Sequence, residues 1–177
     1  MTHQTPDLTL LLESFRRNAR VNDALLVALT TPDFDLSDGR GGWTVERHLR
    51  HMATFRVGWL WNMSRDHAMP LLNPDELDAD GDPQWRWANA PATALPEALA
   101  AGDAAAIAAV QAHRASGEPF ADPWNEGTYR SDPAHFLMHT IVHDSHHRGQ
   151  VMSLLRQGGR TPEQMDALDD HWSIWRE

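Results

Sequence analysis

The 177-residue chain contains no cysteine and no lysine, and all 15 of its basic residues are arginine. Without Cys there is no disulfide, no thiolate zinc site and no cysteine nucleophile, a composition that fits the cytoplasm. Without Lys there is no P-loop lysine, no Schiff base and no lysine general base. Any thiol used here must therefore come from a small molecule. No apolar run approaches the roughly 20 residues of a membrane helix, and the opening MTHQTPDLTL does not run from a basic region into an apolar one. The sequence reading therefore expects neither a membrane span nor a signal peptide. The 25 acidic residues leave a net charge of -10 with His neutral, so the basic footprint that nucleic acid or an anionic membrane demands is missing. The chain also lacks His-Glu-x-x-His, Glu-x-x-His, Gly-x-Ser-x-Gly and Gly-x-Gly-x-x-Gly, which excludes zincin, ferritin-like di-iron, nucleophile-elbow and dinucleotide-binding readings.

What remains is helical patterning. Thr5-Pro6-Asp7 signals a helix start, and Leu8, Leu11, Leu12, Phe15, Ala19, Leu25, Leu26 and Leu29 follow at helical spacing until Thr31-Pro32-Asp33. A loop over 32–42 ends in Gly-rich GRGG. A second helix starts at Thr44, shows one apolar face through Val45, Leu49, Met52, Trp59 and Met63, and stops before Pro70. Residues 70–94 carry Pro70, Pro74, Pro83, Pro91 and Gly81 and read as a long ordered loop with Trp85 and Trp87 packed down. The Ala-rich stretch 95–115 is a third helix closed by Gly117 and Pro119. A second loop covers 118–131. Asp132-Pro133 opens a fourth helix that runs to about Gln157, with Gly158-Gly159 as its stop. Thr161-Pro162-Glu163-Gln164 starts a short final helix ending in Trp172 and Trp175.

No strand alternation competes, and no repeat or second composition regime appears. The expectation is all-α: one domain over 1–177, a four-helix bundle over about 6–158 with a C-terminal extension over 159–177 holding the extra short helix. The fourth helix is apolar nearly all round, with Leu137, Met138, Ile141 and Met152 opposite Phe136, Val151 and Leu154. It should lie buried between neighbours or against a second subunit.

Histidine is the conspicuous excess: of 11, five fall between His135 and His147. His135, His139, His143 and His147 are spaced by four and share one helix face. Two such imidazoles can point at one metal ion, and a third ligand has to come from elsewhere; the second helix offers His48 and His51. The same row also reads as a solvated face, particularly at His135 and His139. His3, His67, His113 and His171 read as ordinary polar residues.

Trp43-Thr44-Val45-Glu46, leading through Leu49 to His51-Met52, and the later block His143-Asp144-Ser145-His146-His147-Arg148-Gly149-Gln150 resemble the DinB/YfiT-like metalloprotein superfamily. The resemblance runs from the first helix to Gly158. It implies a four-helix bundle, often dimeric, with a divalent metal held by three His. Carried over by position, the ligands are His51, His143 and His147; His48 falls outside the ligand place, and His135, His139 and His146 receive no role. Members of that superfamily include transferases and isomerases that use bacillithiol, mycothiol or glutathione, and the family name implies no DNA contact.

Three neutral imidazoles leave zinc or nickel with open positions, where a water or thiol loses its proton more readily. The resulting expectation is a divalent-metal protein, either a metal-dependent thiol transferase or a hydrolase acting on a small molecule, and a homodimer. The alternative is a non-catalytic metal-binding stress-response protein, since no general base stands out. Arg148 fits a structural ion pair or a substrate carboxylate. Gly149 suggests close helix approach, and Gln150, Asp144 and Glu46 are candidates for steadying the ligands, although Asp144 and Glu46 also fit plain surface roles. Trp43, Trp59 and Trp61 read mostly as core, with Trp59 or Trp61 able to line a cavity.

Overall fold

A computed structural model describes residues 7–177. Four long helices dominate: α1 (Thr9–Ala28), α2 (Val45–Met63), α4 (Leu95–Ser116) and α5 (His135–Gln157). A single-turn α3 (Arg65–Ala68) follows α2, and α6 (Pro162–Asp169) follows α5. The long helices pack in the cyclic order α1, α5, α2, α4, and the mainly helical bundle expected from the periodicity is present. Its core is built from Phe15, Val21 and Leu25 on α1, Leu49, Met52 and Leu60 on α2, Leu95, Ala106 and Val110 on α4, and Phe136, Leu137, Val151 and Leu155 on α5.

The starts and stops follow local chemistry. Thr44 caps α2, its hydroxyl accepting the Arg47 N–H at 3.2 Å. Gly117 ends α4 in the left-handed conformation, φ 75°, that a side chain disfavours. Thr161 and Gln164 cap α6 reciprocally. Two helix starts differ from expectation. The α1 helix begins at Thr9 with Leu8 at its N-cap, and Asp7 just ahead accepts from the Thr9 N–H and hydroxyl, while Thr5, Pro6 and His3 lie outside the described residues. Asp132 accepts the Ala134 N–H at 2.8 Å and forms an entering turn, and α5 proper begins at His135.

The expected loop over 70–94 is corrected. Residues Leu72–Leu77 (β1) and Pro83–Trp85 (β2) form an antiparallel hairpin pairing Leu72 with Trp85 and Asn73 with Gln84. The turn is held by Asp78, whose carboxylate accepts from Asp80 and Asp82 N–H groups. β1 shows no buried-exposed alternation, so the hairpin left no period-two signal. The segment Ala92–Ser116 is, by length and composition, apolar enough to cross a membrane, as the core helix of a bundle can be, and 44% of its most apolar window is buried in the bundle. The short final helix stops at Asp169, and Trp172 and Trp175 instead sit on 3-10 turns over Asp170–Arg176 that pack on α1. Burial of α5 is incomplete, because Met138 and Val142 stay exposed one turn apart.

Candidate metal centre

α2 and α5 lie side by side, and each delivers histidines to the seam between them. His51 comes from α2; His143 and His147, one turn apart, come from α5. One ring nitrogen from each lies within 4.8 Å of the other two. The ring centroids are 4.9 Å apart for His51 and His143, 4.8 Å for His51 and His147, and 4.5 Å for the α5 pair. Both nitrogens of His143 are buried and have no hydrogen-bond partner. A buried imidazole without partners is costly, and a cation bonded to one nitrogen relieves that cost. The donor set therefore fits a divalent ion, and the three-histidine group can hold one.

The surroundings orient these rings. His48 Nδ1 lies 3.1 Å from His147 Nδ1, so one of the two donates a proton to the other and His147 keeps Nε2 for another partner. Trp43 stacks nearly parallel to His147, 7° between planes, and Phe55 stacks on His143 at 3.8 Å. Burial and the neighbouring His143, His51 and His48 lower the His147 pKa to about 4. Burial, followed by His143, lowers that of His51, and burial lowers that of His48. Neutral imidazoles with free lone pairs are the state a metal requires.

A family model described as the DinB family matches residues 1–177. The chain belongs to the DinB family. No curated protein and no solved structure matches it.

In this DinB protein the candidate ligands stand on a buried polar network. Asp144, next to His143 in the chain, accepts two bonds from Arg56, at 2.9 and 2.6 Å, and one each from Asn18 and Asn22. Arg56 also donates to Asp103 on α4 at 2.6 Å and to the Met52 carbonyl. Arg148 donates to the side-chain carbonyls of Asn18 and Asn22. Two guanidinium and two carboxylate groups thus balance in charge across all four long helices. Burial pushes the Asp144 carboxyl up, but the Arg56 charge and the donated hydrogen bonds outweigh it and hold the group well below the usual carboxylate range. Arg56 and Arg148 are among the largest fully buried or nearly buried side chains in the protein. Gly102 leaves room for this network: a Cβ there would meet Arg56 Cδ at 2.9 Å.

Several sequence expectations change here. Among the described residues Arg148 lacks the carboxylate at ion-pair distance that the structural reading expected and instead bonds the two amides on α1, with Trp172 beside its guanidinium. Gly149 is exposed and a Cβ there would meet nothing within 4 Å, so close helix approach is not its reason. Gln150 Oε1 is buried without a partner and makes no hydrogen bond to a histidine. Glu46 pairs with Arg50. Trp43 is half-buried against three histidines rather than in the core, whereas Trp59 and Trp61 pack against the core as expected and Trp59 also lines a cavity. The His row splits: His135 is exposed, His139 bonds Tyr129 at 2.6 Å, His146 is exposed, and only His143 and His147 turn into the seam.

The network members Asn18, Asn22, Arg56 and Asp103 were not singled out from sequence. A signal existed. Arg56 sits between Met52 and Leu60 in the apolar register of α2, and Asn18 and Asn22 interrupt the apolar register of α1. A charged or amide group on a buried face needs a partner.

Proposed function

We propose that this DinB protein is a metal-dependent transferase for a low-molecular-weight thiol, with His51, His143 and His147 as ligands to zinc or nickel. The carrying observation is that both His143 ring nitrogens are buried without a hydrogen bond, the Asp144 carboxylate lying 3.8 Å from Nδ1, while a nitrogen of His51 and of His147 is in ligating range. A divalent ion held by three imidazoles keeps open positions and lowers the pKa of a thiol or water bound there. A chain with no cysteine of its own has to take its thiolate from a cosubstrate such as bacillithiol.

The chain's residues supply the rest. His48 orients His147, Phe55 stacks on the His143 ring, and Trp43 lies parallel to the His147 ring. Two cavities flank the cluster. One of about 450 Å³ is lined by His147, His48, Trp43 and Gln150; another of about 500 Å³ is lined by His51, Phe55 and Trp59. Space on both sides of one centre suits a reaction between two molecules, which favours transfer over hydrolysis.

The test is metal analysis of the purified protein, followed by addition of bacillithiol, mycothiol and glutathione to the cobalt-substituted form. One divalent ion per chain and a cobalt spectrum altered by at least one thiol support the reading. A metal-loaded protein whose spectrum none of the three thiols changes overturns the thiol assignment.

A further inference from the structure

The cavity beside His51 is a groove laid along α2. His51, Phe55, Trp59 and Asn62 line it at helical spacings of four, four and three. At 1.5 Å per residue the groove extends about 16 Å from the histidine cluster. Trp124 and Glu126, which belong to the 118–131 loop, line it as well, with Trp124 against Trp59. That loop is well held. The Asp122 carboxylate accepts from Gly127 and Glu126 N–H groups, and Ala121 N–H donates to the Met63 carbonyl at the end of α2.

Trp59 and Trp124 meet at 5.3 Å with 74° between planes, making two walls of a corner, and Phe55 adds a third ring 5.9 Å from Trp59. Four of the eight indoles carry one of the protein's own cations: Arg47 lies over Trp43, Arg65 over Trp61, Arg86 over Trp87 and Arg148 over Trp172. Among the described residues no guanidinium is found over Trp59 or Trp124. No arginine lines the groove either, and Glu126 is its sole carboxylate. Aromatic faces attract a cation through their negative π density, and a carboxylate beside them adds charge complementarity. The net charge of -10 raises the local concentration of cations around the whole molecule.

We propose that the Trp59–Trp124–Glu126 corner binds an organic ammonium group, so that the second substrate is an elongated molecule with a cationic head in the corner and its reacting end at the histidine cluster. The assignment of a reacting end rests on the metal-dependent reading above; the cation site itself stands on the corner alone.

Titration calorimetry of the full-length protein with choline, and with its neutral isostere in which a tert-butyl group replaces trimethylammonium, tests this. Choline should bind at least about tenfold more tightly than the isostere, and Trp124→Ala or Glu126→Gln should each weaken choline binding by about three- to tenfold while leaving the bound metal unchanged. Both side chains are exposed, so neither change threatens folding. Equal binding of choline and isostere, no binding of choline, or unaltered binding in both variants overturns the proposal. Purified protein without a divalent ion overturns the metal assignment instead, and the choline isotherm still decides this one.

Discussion

His147 joins the most contacts that bear on chemistry: a nitrogen in range of His51 and His143, a bond to His48, and the face of Trp43. Replacing His143 or His147 with Ala should remove most of the bound divalent metal, whereas His135→Ala should leave it in place, because His135 is exposed at the start of α5. Elemental analysis of the three variants checks this, and equal losses in all three would contradict the ligand set. The pH response also belongs to single residues. Burial and its neighbours hold the His147 pKa at about 4 against an ordinary 6.5, so below 6.5 the unfolded chain takes up protons that the folded one refuses. Metal-free protein should accordingly lose stability as pH falls from about 6.5 toward 4, and keep it above that window. His51 shifts in the same direction and adds to the loss. Denaturation midpoints measured across this range, with His147→Gln as the variant that flattens the slope, provide the check.

At the scale of elements, the ion pairs of Arg56 tie α2 to α4 and α5, and the Asn18 and Asn22 amides bring in α1. Removing one partner of a buried pair leaves the others charged in a medium that solvates them poorly. Arg56→Leu should therefore cost about 3–5 kcal/mol in denaturant unfolding. A cost below about 1 kcal/mol would mean that water reaches Asp103 and Asp144. The same contacts explain which elements were legible. The four long helices announce themselves through apolar spacing and through Thr44, Gly117 and Thr161, whose effects are local. The hairpin of β1 and β2 rests on Asp78 turn bonds and on pairing across a short loop, and its exposed strand face carries no apolar pattern to read.

For the whole molecule, an ion held between α2 and α5 would find its ligand set assembled in the folded state and would stabilise that state by mass action. Treatment with a strong chelator should lower the melting temperature, and zinc or nickel should restore it; an unchanged melting temperature in protein shown to have lost its metal would count against coupling between site and bundle. His143 and His147 were candidates from the spacing of four, which survives in one dimension, whereas His51 was preferred to His48 only through the family resemblance carried by Trp43-Thr44-Val45-Glu46 and the Arg-Gly-Gln block. Helix class, the acidic balance and the absence of an internal thiol follow from composition and periodicity, since each depends on residues close together in the chain. Only the tertiary structure could choose between the partners of Asp144, place His48 against His147, turn Arg148 inward to two amides, and set Trp124 edge-on to Trp59. Those outcomes depend on which side chains meet across helices and loops up to 130 positions apart, and such meetings are decided by burial and hydrogen-bond satisfaction in the assembled core.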